Sequence, residues 1–274
     1  MSIPLEDNFN DVLGKAVRGL NMSPSQLADE SGLPVEKIRA AMDGDFNPAV
    51  VRALAGPLGL AAERVVALGE GTYKPEPVGL EGLRQFSTPF DDIAVNAYLV
   101  WDPVSKSAAI FDTGSDAGDM LDAAAGLGAR VEQVFLTHSH GDHIYDLDRV
   151  IEKTGARAWA PRRDEVEGAE TFDAGREFFV GALRVESRLT CGHARGGVTY
   201  VVHGLAQLVA VCGDALFAGS MGGGMVSYAD ALRTNIESIF SLPDTTILAP
   251  GHGPLTTVGE QRRANPFFPE VLIS

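Results

Sequence analysis

A chain of 274 residues, 45% hydrophobic and 22% charged, has ordinary globular composition and room for one large domain or a medium one plus a small one. Its 37 acidic residues against 22 basic ones leave a formal net charge of −15, which argues against nucleic acid or an anionic membrane as principal partner. Cys191 and Cys212 are too few for a disulfide scaffold, no basic-then-apolar leader is visible, and no run nears the roughly 20 apolar residues of a membrane span. The expectation is a soluble, cytoplasmic protein.

The first seventy residues read as helices throughout. Apolar positions 9, 12, 13, 16, 17 and 20 recur at helical spacing. Ser23 followed by Pro24 is a helix start, and Gly32 is its left-handed stop. A third helix runs from Pro34 to Met42, and two shorter ones fit 48–55 and 61–68. Residues 1–70 therefore form a small all-α bundle, and 71–79, with two prolines and two glycines, read as a linker.

From residue 80 to 274 the texture changes to short apolar strands separated by turns. Strands are expected at 82–88, 93–100, 107–111, 132–136, 156–159, 183–188, 197–202, 205–211 and 245–249, with helices at 116–126, 144–154 and 229–241. Strands and helices mixed over such a length predict an α/β layered domain.

The chemistry concentrates in one segment. Three of the six histidines stand within six residues, in Thr137-His138-Ser139-His140-Gly141-Asp142-His143. Residues two apart on an extended chain point the same way, so His138 and His140 converge on one point. Asp142 and His143 follow where the chain turns into a helix and aim at a neighbouring point. Imidazole with carboxylate is a ligand set for divalent transition metals such as zinc or iron. His193 after Gly192, Asp214 after Gly213 and His252 after Gly251 each sit at an expected strand end, where rigid backbone presents side chains to a cleft. His203 is expected as a solvent-facing turn residue, and the two cysteines as buried apolar side chains. The glycine-rich stretch 219–225 lacks a following lysine and reads as a mobile loop beside the pocket, not a phosphate loop.

Two resemblances follow from these residues. The pattern Gln26-Leu27-Ala28, Gly32-Leu33 and Ile38 to Gly44 resembles the helix-turn-helix domain of Xre and Cro repressors over roughly 9–68. Residues 1–72 nevertheless carry six basic and ten acidic side chains, with Glu36 in the helix that would read DNA, so docking or dimerisation is expected of the bundle and DNA is not. The second resemblance is more specific. His-x-His-x-Asp-His, then Gly-His, Gly-Asp and Pro-Gly-His in that order, resembles the metallo-β-lactamase superfamily over roughly 80–268.

That resemblance implies a four-layer αβ/βα sandwich carrying two divalent metal ions, zinc before iron or manganese. It places His138, His140 and His193 on the first ion, Asp142, His143 and His252 on the second, and Asp214 between them. The stretches 213–217 and 250–254 resemble glyoxalase II, which implies a hydrolase for a small thioester or ester, with Asp214 and Asp142 as the catalytic carboxylates. Two divalent ions about 3.5–4 Å apart lower the pKa of a shared water towards 7, and Asp142 would accept its proton. Glyoxalase II carries a further basic helical domain that grips glutathione; this chain has about twenty residues after His252, and Tyr145 stands where relatives often have glycine. Other implied activities are a persulfide dioxygenase with one iron on His138, His193 and Asp214, or a lactonase; from a different class, the alternative is a metabolite-sensing DNA-binding regulator whose metal domain only binds ligand. A homodimer would be compatible with any of them.

Overall fold

A computed structural model describes residues 3–269. Five helices come first: α1 Phe9–Gly19, α2 Pro24–Ser31, α3 Val35–Met42, α4 Pro48–Ala55 and α5 Ala62–Gly69. Their ends follow local chemistry. The Ser23 hydroxyl accepts from the Gln26 amide while the Gln26 side chain returns to the Ser23 amide; Asn47 caps α4; Gly32 closes α2 at φ +69°. Each of the two N-cap side chains, Ser23 and Asn47, contributes about 1 kcal/mol.

The rest alternates strands and helices. The first sheet is built from β1 Leu83–Phe90, β2 Ile93–Trp101, β3 Ser107–Phe111, β4 Arg130–Phe135, β5 Arg157–Pro161 and β6 Glu170–Phe172, in that spatial order. Its first three strands are antiparallel and its last four parallel. Helices α6 Gly118–Leu127, α7 Gly141–Ile144 and α8 Leu147–Thr154 connect them. The second sheet takes β7 Glu177–Val180, β8 Leu183–Leu189, β9 Val198–His203, β10 Val209–Gly213, β11 Ile247–Pro250 and β12 Thr256–Thr257, again in chain order across the sheet. Helix α9 Tyr228–Ser238 makes the parallel crossover between β10 and β11, and α10 Val258–Ala264 follows β12.

Side-chain parity explains why these strands are apolar runs. On β2, Tyr98 and Val100 face the second sheet, while Ala97, Leu99 and Trp101 face α6 and α8. On β10, Val209 and Val211 face the first sheet, while Ala210 and Cys212 face the helical layer beyond. Strands covered on both faces have no polar side to show. The four layers are helix, sheet, sheet, helix, as expected.

The bundle extends the outer layer on the second sheet. Leu13, Leu27, Leu54 and Val65, each fully buried, belong to one apolar core with Leu216, Met221, Phe267 and Phe268. Polar bonds lock the seam: the Ala61 amide donates to Pro266 O (2.9 Å), and Arg64 Nη1 donates to Asn265 O (2.9 Å) and Phe268 O (2.7 Å). Segment 71–79 has no helix or strand, yet Tyr73 within it packs on this core and accepts from Gln261 Nε2 at 2.9 Å.

The expected elements shift in places. The strand expected from 205 starts at Val209, because 204–208 turn the chain back from β9. The helix expected over 144–154 is two helices, α7 and α8, with the turn between them at 145–146. Strands β6, β7 and β12 and helix α10 add to the expected set; they span only three, four, two and seven residues.

Candidate metal centre

Seven side chains meet where the two sheets open at one edge. His138, His140, His193 and Asp214 form one group and Asp142, His143 and His252 another, with ligand atoms within 4.8 Å of one another in each. His138 and His140 follow β4, Asp142 and His143 lie in α7, His193 follows β8, Asp214 follows β10 and His252 follows β11. All seven residues singled out in the sequence are therefore brought together, while His203 and both cysteines stand apart. His203 sits at the end of β9, 3.4 Å from Glu186. Cys212 is buried, its thiol donating to Leu216 O, and burial together with Asp214 pushes its pKa up to about 12.

Asp214 spans the two groups. Its Oδ2 lies 3.3 Å from His193 Nε2 and 3.4 Å from His252 Nε2, and its Oδ1 lies 3.2 Å from His143 Nε2. Asp142 Oδ2 stands 3.4 Å from His252 Nε2 and 3.6 Å from His143 Nε2. In the other group His140 Nδ1 is 3.0 Å from both His138 Nε2 and His193 Nε2.

The outer hydrogen bonds fix which nitrogen faces the centre. His143 Nδ1 donates to Asp112 Oδ2 (2.8 Å), His252 Nδ1 to Ala94 O (2.8 Å) and His193 Nδ1 to Gly223 O (3.0 Å). Thr137 Oγ1 donates to Asp112 Oδ2, so it accepts from His138 Nδ1 at 3.0 Å. Four rings thus turn Nε2 inward, as metal-ligating histidines do. Nitrogen atoms 3.0 Å apart with converging lone pairs call for a cation or a proton between them. His143 Nε2 and Asp214 Oδ1 are buried with no hydrogen-bond partner among the described residues, a costly state that a metal ion removes. The donor set fits divalent cations.

The electrostatics divide in the same way. Burial drives the His138 pKa well below the ordinary imidazole value, and lowers that of His193. Burial would lower His143 and His252 too, but Asp214 and Asp112 push His143 up to about 10, and Asp214 with Asp142 pushes His252 up to about 11. Burial would raise Asp214, yet His143 and His252 hold it well below the carboxylate range.

Several supports carry no sequence motif. Asp112, at the end of β3, ties His143 to the Thr137 amide and hydroxyl, and adopts φ +54°, a conformation that costs a non-glycine residue about 1 kcal/mol or more. Its signal was modest: an aspartate ending an apolar strand before Thr113-Gly114. Asn96 and Tyr98 of β2 reach across to Pro250 O at 2.9 and 2.7 Å and hold the His252 loop. Gly251 is required by crowding, since a Cβ there would lie 2.2 Å from Asp214 Oδ1. The stretch 219–225, expected to be mobile, is pinned over half its length. Met221 O accepts from Lys15 Nζ, Gly223 O accepts from His193, and only towards Met225 does it face solvent.

A family model for the metallo-beta-lactamase superfamily matches residues 90–252, from the last residue of β1 through the last histidine. The chain belongs to the metallo-beta-lactamase superfamily. Within the superfamily it is 27% identical over 201 residues to hydroxyacylglutathione hydrolase GloC of Haemophilus influenzae, covering 63% of this chain and 92% of that one. It is 30% identical over 207 residues to a probable metallo-hydrolase, YqgX, of Bacillus subtilis, covering 66% and 95%. Among solved structures, ETHE1 from Myxococcus xanthus superposes with a TM-score of 0.59 at 26% identity, covering 69% of this chain and 84% of that one. The match to the superfamily begins at residue 90, so the helical bundle lies outside it. Among the described residues no helix is long and apolar enough to cross a membrane.

Proposed function

We propose that this superfamily member is a binuclear metallohydrolase that cleaves a small thioester or ester in the manner of glyoxalase II. The observation that carries the reading is Asp214, whose two oxygens face His193 in one ligand group and His143 in the other. His138, His140 and His193 would hold one ion, Asp142, His143 and His252 the second, with Asp214 shared; zinc suits the donors best. A pair of divalent cations supplies acidified water and polarisation of the substrate carbonyl.

The chain's own residues do the rest. Asp142, on the cavity wall with one oxygen towards His252, accepts the proton released by the attacking water. Asp112, Ala94 O and Gly223 O keep three rings in the ligating tautomer. Phe90, Ile93, Phe217 and Met225 give the open cavity of about 600 Å³ apolar walls beside the ligand cluster, against which the carbon skeleton of a substrate would pack.

A single iron on His138, His193 and Asp214 would leave Asp142, His143 and His252 without a role. Thiol release from an S-acyl thioester, measured after loading with zinc, manganese or iron, tests the assignment. Metal-dependent thiol release at any of these loadings supports hydrolysis. Oxygen uptake with a persulfide and no thiol release would replace it with the dioxygenase.

A further inference from the structure

The glycine-rich stretch 219–225 forms no helix, yet one of its carbonyls orients a ligand. Gly223 O accepts from His193 Nδ1 at 3.0 Å and so turns Nε2 of that ring towards its ligand group. Gly222 threads between the Asp214 carbonyl and the same ring. A Cβ there would lie 1.9 Å from Asp214 O and 2.9 Å from His193 Nδ1, so no side chain can stiffen the segment. Three consecutive glycines, 222–224, carry the largest backbone entropy to be lost on ordering. Their path has to be imposed by tethers.

The tethers come from two directions. From α10, Gln261 Oε1 accepts from the Gly219 amide at 2.9 Å, and Asn265 Nδ2 donates to Ser220 O at 2.7 Å. From the bundle, Asp7 accepts from Ser220 Oγ, and Lys15 Nζ donates to Met221 O at 2.9 Å. Lys15 makes the last of these bonds, two residues before the carbonyl that His193 uses. Its ammonium also donates to Asp7, and the pair is largely buried, at 14% and 8% exposure. Neither residue lies within the stretch that the superfamily model matches.

We propose that Lys15 is a positioning residue for the first ligand group. Held by Asp7, its ammonium fixes Met221 O, sets the path of 222–224 and thereby aims Gly223 O at His193 Nδ1. The bundle completes a metal centre whose ligands all lie elsewhere in the chain. This inference rests on the metallohydrolase reading for His193 as a ligand, and not on the nature of the substrate.

Charge and position make opposite predictions here. Lys15 lines the same cavity as Asp142, Asp214 and His252, so removing its charge would by Coulomb's law favour divalent cations in that cavity. A loss of metal affinity on its removal therefore reports geometry. Glu6, the other bundle side chain on the cavity wall, stays in every variant.

Zinc affinity of the full chain is measured by competition with a chromophoric chelator, and backbone amide exchange is followed over 219–227. In Lys15→Met, affinity at one of the two binding steps should fall about tenfold, the low end for a group that orients a ligand. The amides of 219–227 should exchange about tenfold faster, as a segment that has lost a tether does. Lys15→Arg keeps the charge and the donors and should bind zinc within about threefold of wild type. Leu13→Ala lies in the bundle core but makes none of these bonds, and should keep zinc affinity within about twofold despite its lost stability. A merely structural role for Lys15 would make Leu13→Ala and Lys15→Met weaken zinc alike.

Should Lys15→Met fail to fold, Ser220→Ala answers instead, because it frees the same segment while Asp7 keeps Lys15. Its zinc affinity should fall about threefold. Unchanged or tighter zinc binding in Lys15→Met, or in Ser220→Ala where that variant stands in, overturns the proposal. An equal loss in Leu13→Ala does so too. Thioester hydrolysis by the wild-type chain is assayed alongside. Its absence with the zinc order intact removes the hydrolase and leaves the positioning role; its presence with unchanged zinc binding in Lys15→Met does the reverse.

Discussion

The two walls of the cavity are built by different means. On one side, seven ligands stand beyond the ends of strands or in the short helix after β4, where strands buried between the layers emerge at one edge of the sheets. On the other, Glu6 and Lys15 arrive from a separate helical bundle whose position depends on an apolar seam and a few long-range bonds. The first wall is precise because sheet backbone moves little. The second depends on packing between elements far apart in the sequence, and it lies outside the residues that the superfamily model matches.

The comparison can be broken first from the ligand side. Gly251→Ala places a methyl against the shared carboxylate, so turnover should fall by about a thousandfold and bound metal should drop, because the ligating geometry is lost. Elemental analysis and thioester assay check it; near-normal values would mean that the loop yields.

The bundle side is tested by Leu13→Ala. It empties a fully buried position in the core shared by the bundle and the outer layer, and should cost about 2–5 kcal/mol. If the seam makes one cooperative unit, calorimetry shows a single transition moved to lower temperature. Two separate transitions would make the bundle an independent appendage.

A smaller effect separates ligands from their supports. Asp112→Asn keeps the shape but weakens the hold on the His143 ring, and should reduce metal affinity by about 10–100-fold. Competition with a metal chelator measures it.

Protons offer a finer probe. Without cations His143 and His252 titrate at about 10 and about 11, above the ordinary 6.5. Their contribution to the metal-free fold is therefore full below about pH 6.5 and is lost as pH rises through 10 to 11. At pH 7.5 both rings carry the proton that metal must displace, so zinc binding should release about two protons per chain. Titrations in buffers of differing ionisation enthalpy count them.

How much of this was legible in the sequence depends on distance along the chain. His138, His140, Asp142 and His143 share one strand-to-helix turn, so their spacing alone placed them together. His193, Asp214 and His252 were legible through the glycine that precedes each one. Asp112 was not, because its partners lie 25 and 31 residues away and an aspartate ending a strand is common. Lys15 was not either, since its bond to Met221 spans 206 residues and only the packed seam brings the two together. Double coverage of the strands made them apolar runs that read clearly. Strands β6 and β12, of three and two residues, are too short to show any period.

The central claim is that one carboxylate holds two cations in a single hydrolytic centre. Elemental analysis of freshly purified wild-type chain and of Asp214→Ala, beside His203→Ala as a control away from the ligand cluster, addresses it directly. The account predicts about two divalent ions per chain for wild type and for His203→Ala, and at most one for Asp214→Ala, with thiol release from a thioester falling by orders of magnitude only in the last. Two ions retained in Asp214→Ala with near-normal turnover would contradict it.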